Sequence, residues 1–280
     1  MLCAPAVIAM LLVTAYPIVY AFVLSLQKLD LRFPNDTGFI WFTNYKTVLT
    51  SSLWWGDVGN TLLITVVSVA LELTLGMILA LVMYRAIFGR GIVRTNVLIP
   101  YGIVTVVAAF AWLFAFSPDT GFVNHWLGID KAWFGGHASS LAVIIFAEVW
   151  KTTPFMALLL LAGLTTIDDG LYEAAKVDGA NAVQRFFRIT LPLMKPAILV
   201  ALLFRTLDAF RIFDNIFIMT RGAQNTESVS IAGYNQLISR TNLGLGSAVS
   251  VLIFIFVVLI AFAFVRGFGV RMAEGRPGAT

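Results

Sequence analysis

Seven ionisable residues lie inside stretches of this sequence that are otherwise apolar. They are Glu72, Glu148, Lys151, Arg205, Asp208, Arg211 and Asp214. Charged groups are costly in hydrocarbon, so those found there commonly mark a transport path or an ion relay. Three cations and four anions nearly cancel, which favours a neutral polar solute over an ion. Because carboxylates and guanidinium groups bind hydroxyls and aromatic rings cover the apolar faces of sugars, the pattern favours a carbohydrate.

Helical spacing places several of these residues on shared faces. At 100° per residue, Asp208, Arg211 and Asn215 fall within about 60° of one another. Glu148 and Lys151 share a face on an earlier apolar stretch in the same way. The residues that we predict to line a substrate pathway are Glu72, Glu148, Lys151, Thr152, Asp208, Arg211, Asp214 and Asn215.

The alternative interpretation of these charges is structural. Glu148 with Lys151, and Asp208 with Arg211 or Arg205, would form ion pairs that neutralise one another and hold helices together. The sequence leaves open whether these groups contact a solute or only each other.

The elements that carry the charges are long apolar segments. Of the 280 residues, 59% are apolar and 12% are charged, and the mean hydropathy is +0.89, as in an integral membrane protein. Windows of about 20 apolar residues predict six transmembrane helices, at residues 4–26, 60–84, 95–116, 139–164, 197–220 and 244–265. The first lacks a basic leader and a cleavage pattern, so we expect a retained helix. Because the chain begins in apolar sequence, we also expect a natural cytoplasmic lead-in to be missing from it.

Other residue types exclude several chemistries. Cys3 is the single cysteine, so an internal disulfide and a cysteine-rich metal site are excluded, and we interpret His125 and His137 as solvated loop residues. The net charge of +4 comes from basic residues in short loops, so no nucleic-acid partner is implied. The sequence has no phosphate-binding loop, zinc-protease motif or nucleophile elbow. We therefore predict no catalytic residue, and no metal or cofactor bound by this chain.

Lysine and arginine are unequally divided between the two sets of loops. Residues 85–94, 165–196 and 266–280 hold ten, whereas residues 27–59, 117–140 and 221–243 hold six in a larger total length. By the positive-inside rule the first set is cytoplasmic. No domain-sized insertion separates the spans, so the simplest organisation is one membrane domain, residues 1–280, with a prominent cytoplasmic loop at 165–196.

That loop is a polar, amphipathic island. Asp168 is an N-cap candidate for a first short helix, and Asp178-Gly179 is a turn dipeptide that predicts its end. A second amphipathic helix is predicted to run from Asn181 until Pro192 ends it. The two helices would form a hairpin outside the bilayer, although an ordinary interfacial helix is the simpler alternative.

The island also contains a specific string of residues, namely Glu173-Ala174-Ala175, Asp178-Gly179-Ala180, Ile189, Leu191-Pro192 and Pro196. This string resembles the EAA loop of permease subunits in binding-protein-dependent ABC importers. Further matches to maltose-type sugar permeases are Ala15-Tyr16-Pro17 with Ser25, Pro100 with Trp112 and Phe114, residues 121–124, and Phe213-Asp214 with Thr220. Where many members continue with Gly-Gly-Pro, this chain has Arg221-Gly222-Ala223-Gln224, which leaves the shape of that outer loop open.

The resemblance implies an all-α integral membrane protein with the type I ABC importer permease fold, multi-pass in the inner (plasma) membrane and forming half of a pore. The implied partners are a second homologous permease in a heterodimer, two ATPase subunits that bind ATP and Mg²⁺, an external solute-binding lipoprotein, membrane lipid and a sugar such as the disaccharide trehalose. The residues implied in ATPase coupling are Glu173, Ala174, Ala175, Asp178, Gly179, Phe186, Leu191 and Pro192.

Two functions of other classes remain as alternatives. One is an ion-coupled secondary transporter that uses Glu72, Glu148 and Asp208 as proton sites. The other is a membrane enzyme, for example a glycosyltransferase, with Asp208 and Asp214 as acid or base. The energy source separates an ATP-driven importer from the ion-coupled transporter.

Overall fold

The computed structural model describes residues 4–85 and 90–267. Residues 1–3, which include Cys3, residues 86–89, and residues 268–280 of the predicted cytoplasmic segment 266–280 lie outside the described residues. The described chain is mostly helical, with one antiparallel pair of two-residue strands, β1 (Gln27–Lys28) and β2 (Gly38–Phe39).

The helices of the amino-terminal half are α1 (Ala4–Ser25), α2 (Thr43–Leu49), α3 (Ser52–Arg85), α4 (Arg90–Gly102), α5 (Thr105–Ala115), α6 (Phe122–Leu127) and α7 (His137–Leu164). Those of the second half are α8 (Asp169–Val177), α9 (Ala182–Arg185), α10 (Leu191–Leu193), α11 (Lys195–Ala209), α12 (Asp214–Met219), α13 (Val229–Tyr234) and α14 (Leu243–Gly267). Two π-helical turns, Phe186–Thr190 and Asn235–Ser239, and two 3₁₀ turns, Trp133–Gly135 and Ala223–Asn225, complete the described helical structure.

By length and composition, α3, α7 and α14 could each cross a membrane. Two bent pairs, Gly91–Gly102 with Thr105–Ala115 and Ala182–Leu193 with Lys195–Met219, could supply further spans. The described residues therefore provide three to five spans, while the apolar Met10–Ser25 is shorter. Six spans remain a prediction.

The third predicted span is not a straight helix, contrary to the sequence expectation. Helix α4 ends at Gly102, α5 begins at Thr105, and the two are bent by 85°. Pro100 cannot donate a backbone hydrogen bond and Gly102 is a weak helix former, so the helix is weakened at this point.

The fifth predicted span is also interrupted. Helix α11 ends at Ala209 and α12 begins at Asp214, which leaves residues 210–213 outside regular helix. Ser228 Oγ donates to the carbonyl of Ile212 at 3.0 Å and so satisfies a group that the break releases. The single polar face predicted from a continuous helix through Asp208, Arg211 and Asn215 is therefore wrong.

Two compact units divide the chain. The first unit comprises Met1–Ile64, Ala109–Ile144 and Phe210–Val257, and its buried ring of Phe210 lies 6.0 Å from that of Phe256. The second comprises Thr65–Ala108, Ile145–Ala209 and Val258–Thr280. That a single domain spans residues 1–280 remains a prediction.

Close helix packing characterises the second unit. A Cβ added at Gly76 of α3 would come within 2.8 Å of Met156 Cγ on α7, so the glycine permits the close approach of the two helices. Met83, Met156, Leu160 and Met194 are buried in the same apolar core.

Candidate functional site

The hairpin in the second unit is built from short-range capping interactions. Asp168 is the N-cap of α8, and its carboxylate accepts from the amide of Gly170 at 2.9 Å. The helix ends at Val177, with Asp178 as its C-cap, and Gly179 follows with φ +79°. This left-handed conformation favours glycine. The predicted end of the first helix at Asp178 is confirmed.

The second arm begins where the sequence predicts. Asn181 accepts from the amide of Gln184 at 2.8 Å, and the Gln184 side chain accepts from the Asn181 amide at 2.9 Å, which forms a capping box. The arm ends at Leu193, one residue past the predicted end at Pro192, and the chain bends before Lys195. A π-helical turn at Phe186–Thr190 ends two residues before the proline. Since proline lacks an amide hydrogen and crowds the preceding turn, this wider turn accommodates it.

Hydrogen bonds and apolar packing attach the hairpin to its unit. The Tyr84 hydroxyl, at the end of α3, donates to Asp169 Oδ1 at 2.9 Å. The hydroxyls of Tyr172 and Thr190 lie 2.9 Å apart and tie the two arms together. Phe186 packs against the apolar core. A movement of the hairpin would therefore be transmitted to α3 and the core.

The residues predicted to couple to an ATPase are mostly at the surface. Glu173, Ala174, Asp178, Gly179 and Pro192 are exposed, whereas Ala175, Phe186 and Leu191 are half-buried. Beside them the hairpin exposes apolar side chains, with Val177 89% and Val183 64% exposed. Exposed apolar groups next to polar ones are the composition expected of a docking surface.

A groove of about 530 Å³ opens between the hairpin and the end of α3. Its charged lining residues are Arg85, Asp169, Lys176 and Arg185, and its aromatic ones are Tyr84, Tyr172, Phe186 and Phe187.

The second unit also contains a buried ionic cluster, which we call the Arg205 cluster: Glu72, Glu148, Thr152, Arg205 and Asp208. Arg205 Nε and Nη2 donate to the two oxygens of Glu72 at 2.6 and 2.9 Å. The same Nη2 lies 3.2 Å from Glu148 Oε1 and 3.1 Å from Thr152 Oγ1. A further bond joins Arg205 to Asp208. The cluster thus links helices α3, α7 and α11.

Exposure divides this cluster into two parts. The side chains of Arg205 and Glu72 are 1% and 0% exposed, whereas that of Asp208 is 65% exposed. A folded protein tolerates buried charges when they are paired and hydrogen-bonded. Glu72 and Arg205 therefore hold the helices together, and Asp208 is the member whose carboxylate can meet a solute.

The other predicted pathway residues are distributed over both units. The Lys151 ammonium lies 5.4 Å from the centre of the Tyr101 ring, and Glu148 bonds Arg205. Arg211, Asp214 and Asn215 belong to the first unit, where Arg211 is exposed and Asn215 is buried.

Arg205 is not among the predicted pathway residues, although it is the centre of the cluster. The available signals were an arginine inside an apolar stretch and its spacing of three from Asp208. Its bond to Glu72 spans 133 positions, so no local pattern reveals it.

The fold has solved counterparts. The structure matches a bacterial ABC transporter that imports the acidic polysaccharide alginate, with a TM-score of 0.82, 24% identity, and coverage of 94% of this chain and 92% of that chain. A crystal structure of the MetNI methionine ABC transporter matches with a TM-score of 0.57 over 76% of this chain and 93% of that chain, at 21% identity. The chain thus shares the fold of a chain of these ABC transporters.

The family model described as "Binding-protein-dependent transport system inner membrane component" matches residues 72–274, and the chain belongs to this family. It is 56% identical over 277 residues to the trehalose transport system permease protein SugA of Mycobacterium tuberculosis, covering 99% of this chain and 90% of the relative. It is 39% identical to the trehalose/maltose transport system permease protein MalF of Thermococcus litoralis, covering 88% of this chain and 84% of the relative.

Proposed function

We propose that this chain is a transmembrane permease subunit of an ATP-driven importer for a carbohydrate, with trehalose as the expected solute. The observation that carries the proposal is its 56% identity, over 99% of the chain, to a trehalose permease. The capped hairpin at residues 168–193, with its exposed apolar side chains, supports it as a surface through which a separate ATPase could act.

The proposed assembly contains a second, related permease, two ATPase subunits that bind ATP and Mg²⁺, and an external solute-binding lipoprotein. In this assembly the chain crosses the inner membrane six times and supplies half of the pore. The hairpin docks on an ATPase through Glu173, Ala174 and the turn at Asp178 and Gly179. Its bonds to α3 transmit the movement of the ATPase to the spans.

The proposed substrate pathway is the one predicted from the sequence, which comprises Glu72, Glu148, Lys151, Thr152, Asp208, Arg211, Asp214 and Asn215. Asp208 supports it with an exposed carboxylate that can accept hydrogen bonds from sugar hydroxyls. Arg211 is an exposed donor outside regular helix. Glu72, Glu148 and Thr152 act in this pathway through the Arg205 cluster, which holds Asp208 in place.

Trehalose uptake into vesicles tests this proposal. The chain is reconstituted with its permease partner, ATPase and binding lipoprotein, and uptake of radiolabelled trehalose is measured with ATP supplied to the ATPase side. We expect uptake that needs ATP and is abolished by vanadate. The control is the same complex with an inactivated ATPase subunit. Uptake that survives vanadate and follows a proton gradient would instead establish an ion-coupled transporter.

A further inference from the structure

The groove between the hairpin and the end of α3 straddles a predicted boundary of the membrane. Leu81 and Leu164 line it from the ends of two predicted spans, residues 60–84 and 139–164. Its charged lining residues all lie in loops that the positive-inside rule places in the cytoplasm. One part of the groove is therefore predicted to meet the acyl chains of the inner leaflet, and the other part to meet the headgroups.

The charges that line this groove are unbalanced. The cations Arg85, Lys176 and Arg185 face a single carboxylate, that of Asp169, which already accepts from the Tyr84 hydroxyl at 2.9 Å. Within the part of the chain that the structure describes, none of the three cations forms an ion pair. The groove therefore offers an excess of positive charge to an anion.

One of these cations is held in place by the hairpin itself. The side chain of Arg185 is half-buried, and its Nη1 donates to the backbone carbonyl of Ala180 at 2.9 Å. This bond leaves other guanidinium hydrogens for a ligand, since arginine has five N–H donors. Arginine and lysine are the residues that most strongly bind phosphate oxygens.

Apolar side chains in the same groove favour an amphiphile over a wholly polar anion. Val183 and Phe187 line the groove and are 64% and 60% exposed. Free inorganic phosphate would leave these side chains in contact with water. A phospholipid would cover them with its glycerol backbone and chains and would bring its phosphate to the cations.

We propose that this groove binds the headgroup of an anionic phospholipid of the cytoplasmic leaflet, with the phosphate held by Arg85, Lys176 and Arg185. Basic pockets at the cytoplasmic ends of transmembrane helices suit anionic headgroups, because surface potential and direct contacts act together there. A lipid in the groove contacts both α3 and the hairpin. The site is independent of the solute that the chain carries.

Photo-crosslinking identifies the occupant of the groove directly. Phe187 is replaced by p-benzoylphenylalanine in the full chain, and the complex with its partner subunits is placed in nanodiscs containing equal amounts of phosphatidylglycerol and phosphatidylcholine. After irradiation, mass spectrometry counts the adducts of each lipid. We expect phosphatidylglycerol adducts to exceed phosphatidylcholine adducts, because only phosphatidylglycerol carries a net negative charge. This excess should fall roughly fivefold in Arg85→Gln and in Lys176→Gln, which is the effect of one basic residue at an anionic membrane surface.

The matched controls are Arg188→Gln and Lys195→Gln. Both change exposed basic residues of the same cytoplasmic segment that do not line the groove, so the excess of phosphatidylglycerol adducts should persist. If Arg85→Gln fails to assemble, Lys176→Gln gives the decision, since it changes an exposed side chain.

Equal adducts of the two lipids before any charge is removed, or an excess that is unchanged in both groove variants, would overturn the proposal. Adducts with an ATPase subunit would show that protein occupies the groove. Loss of the excess when inorganic phosphate replaces chloride would show a site for a free anion. Either result would also overturn the proposal. Since sugar uptake is not measured, failure of the lipid site is distinguishable from failure of the proposed function.

Discussion

At the scale of single residues, Arg205 is a fully buried charge that bonds carboxylates. It is 1% exposed and bonds three carboxylates, of which that of Glu72 is wholly buried. Removing one partner of a buried ion pair typically costs about 3–5 kcal/mol, because an uncompensated charge stays behind. We therefore expect Arg205→Met to abolish assembly of the complex, measured by co-purification of the subunits and by thermal unfolding in detergent.

The matched controls for this substitution are close in sequence. Arg211→Met changes an exposed arginine outside regular helix and should leave assembly intact. Asp208→Asn changes the exposed member of the cluster and should reduce trehalose uptake severalfold without loss of assembly. Adding Glu72→Gln to Arg205→Met should restore part of the stability, since it removes the stranded charge. Normal assembly of Arg205→Met would contradict a structural role for the cluster.

At the scale of elements, the turn of the hairpin sets the direction of its two arms. Gly179 has φ +79°, where a side chain with a Cβ costs about 1 kcal/mol or more, although no neighbouring atom would clash with it. We expect Gly179→Val to remain in the membrane but to redirect the arms. Co-purification of the ATPase and sugar-stimulated ATP hydrolysis should both fall severalfold.

Gly128 provides the control for this element. It has φ +64° with no neighbour within reach, and it terminates α6 in the other unit. Gly128→Val therefore introduces similar backbone strain away from the hairpin and should keep ATPase coupling. Asparagine tolerates the left-handed region, so Gly179→Asn should lower ATPase coupling less than the valine variant. Wild-type coupling in Gly179→Val would show that the loop is only an interfacial helix.

At the scale of the whole molecule, the prediction concerns orientation across the membrane. Val177 on the hairpin is 89% exposed, and Trp126, in a segment predicted to be external, is 76% exposed. In a Cys3→Ser background, Val177→Cys should react with a membrane-impermeant maleimide only from the cytoplasmic side and Trp126→Cys only from outside. This follows from the excess of Lys and Arg in the first set of loops. Mass spectrometry of intact and inverted vesicles measures the maleimide labelling of each cysteine. The reverse labelling pattern would overturn the assigned orientation.

The sequence by itself determined the hairpin, because its signals act over only a few residues. The cap at Asp168, the turn at Gly179 and the capping box at Asn181 each bond groups within about three positions. Residue types were therefore sufficient to place both helix starts and the turn. The membrane class followed in the same way, since burial of apolar segments in lipid depends on composition and length.

Only the tertiary structure decided which charges pair and where the spans break. Arg205 has two candidate carboxylates near it in sequence, yet its most buried bond is to Glu72, 133 positions away. The interruption at residues 210–213 contains no proline or glycine, and the released carbonyl of Ile212 is satisfied by Ser228 from 16 positions away. In each case a polar group needs a partner in three dimensions, and helical periodicity carries no information about which distant element supplies it.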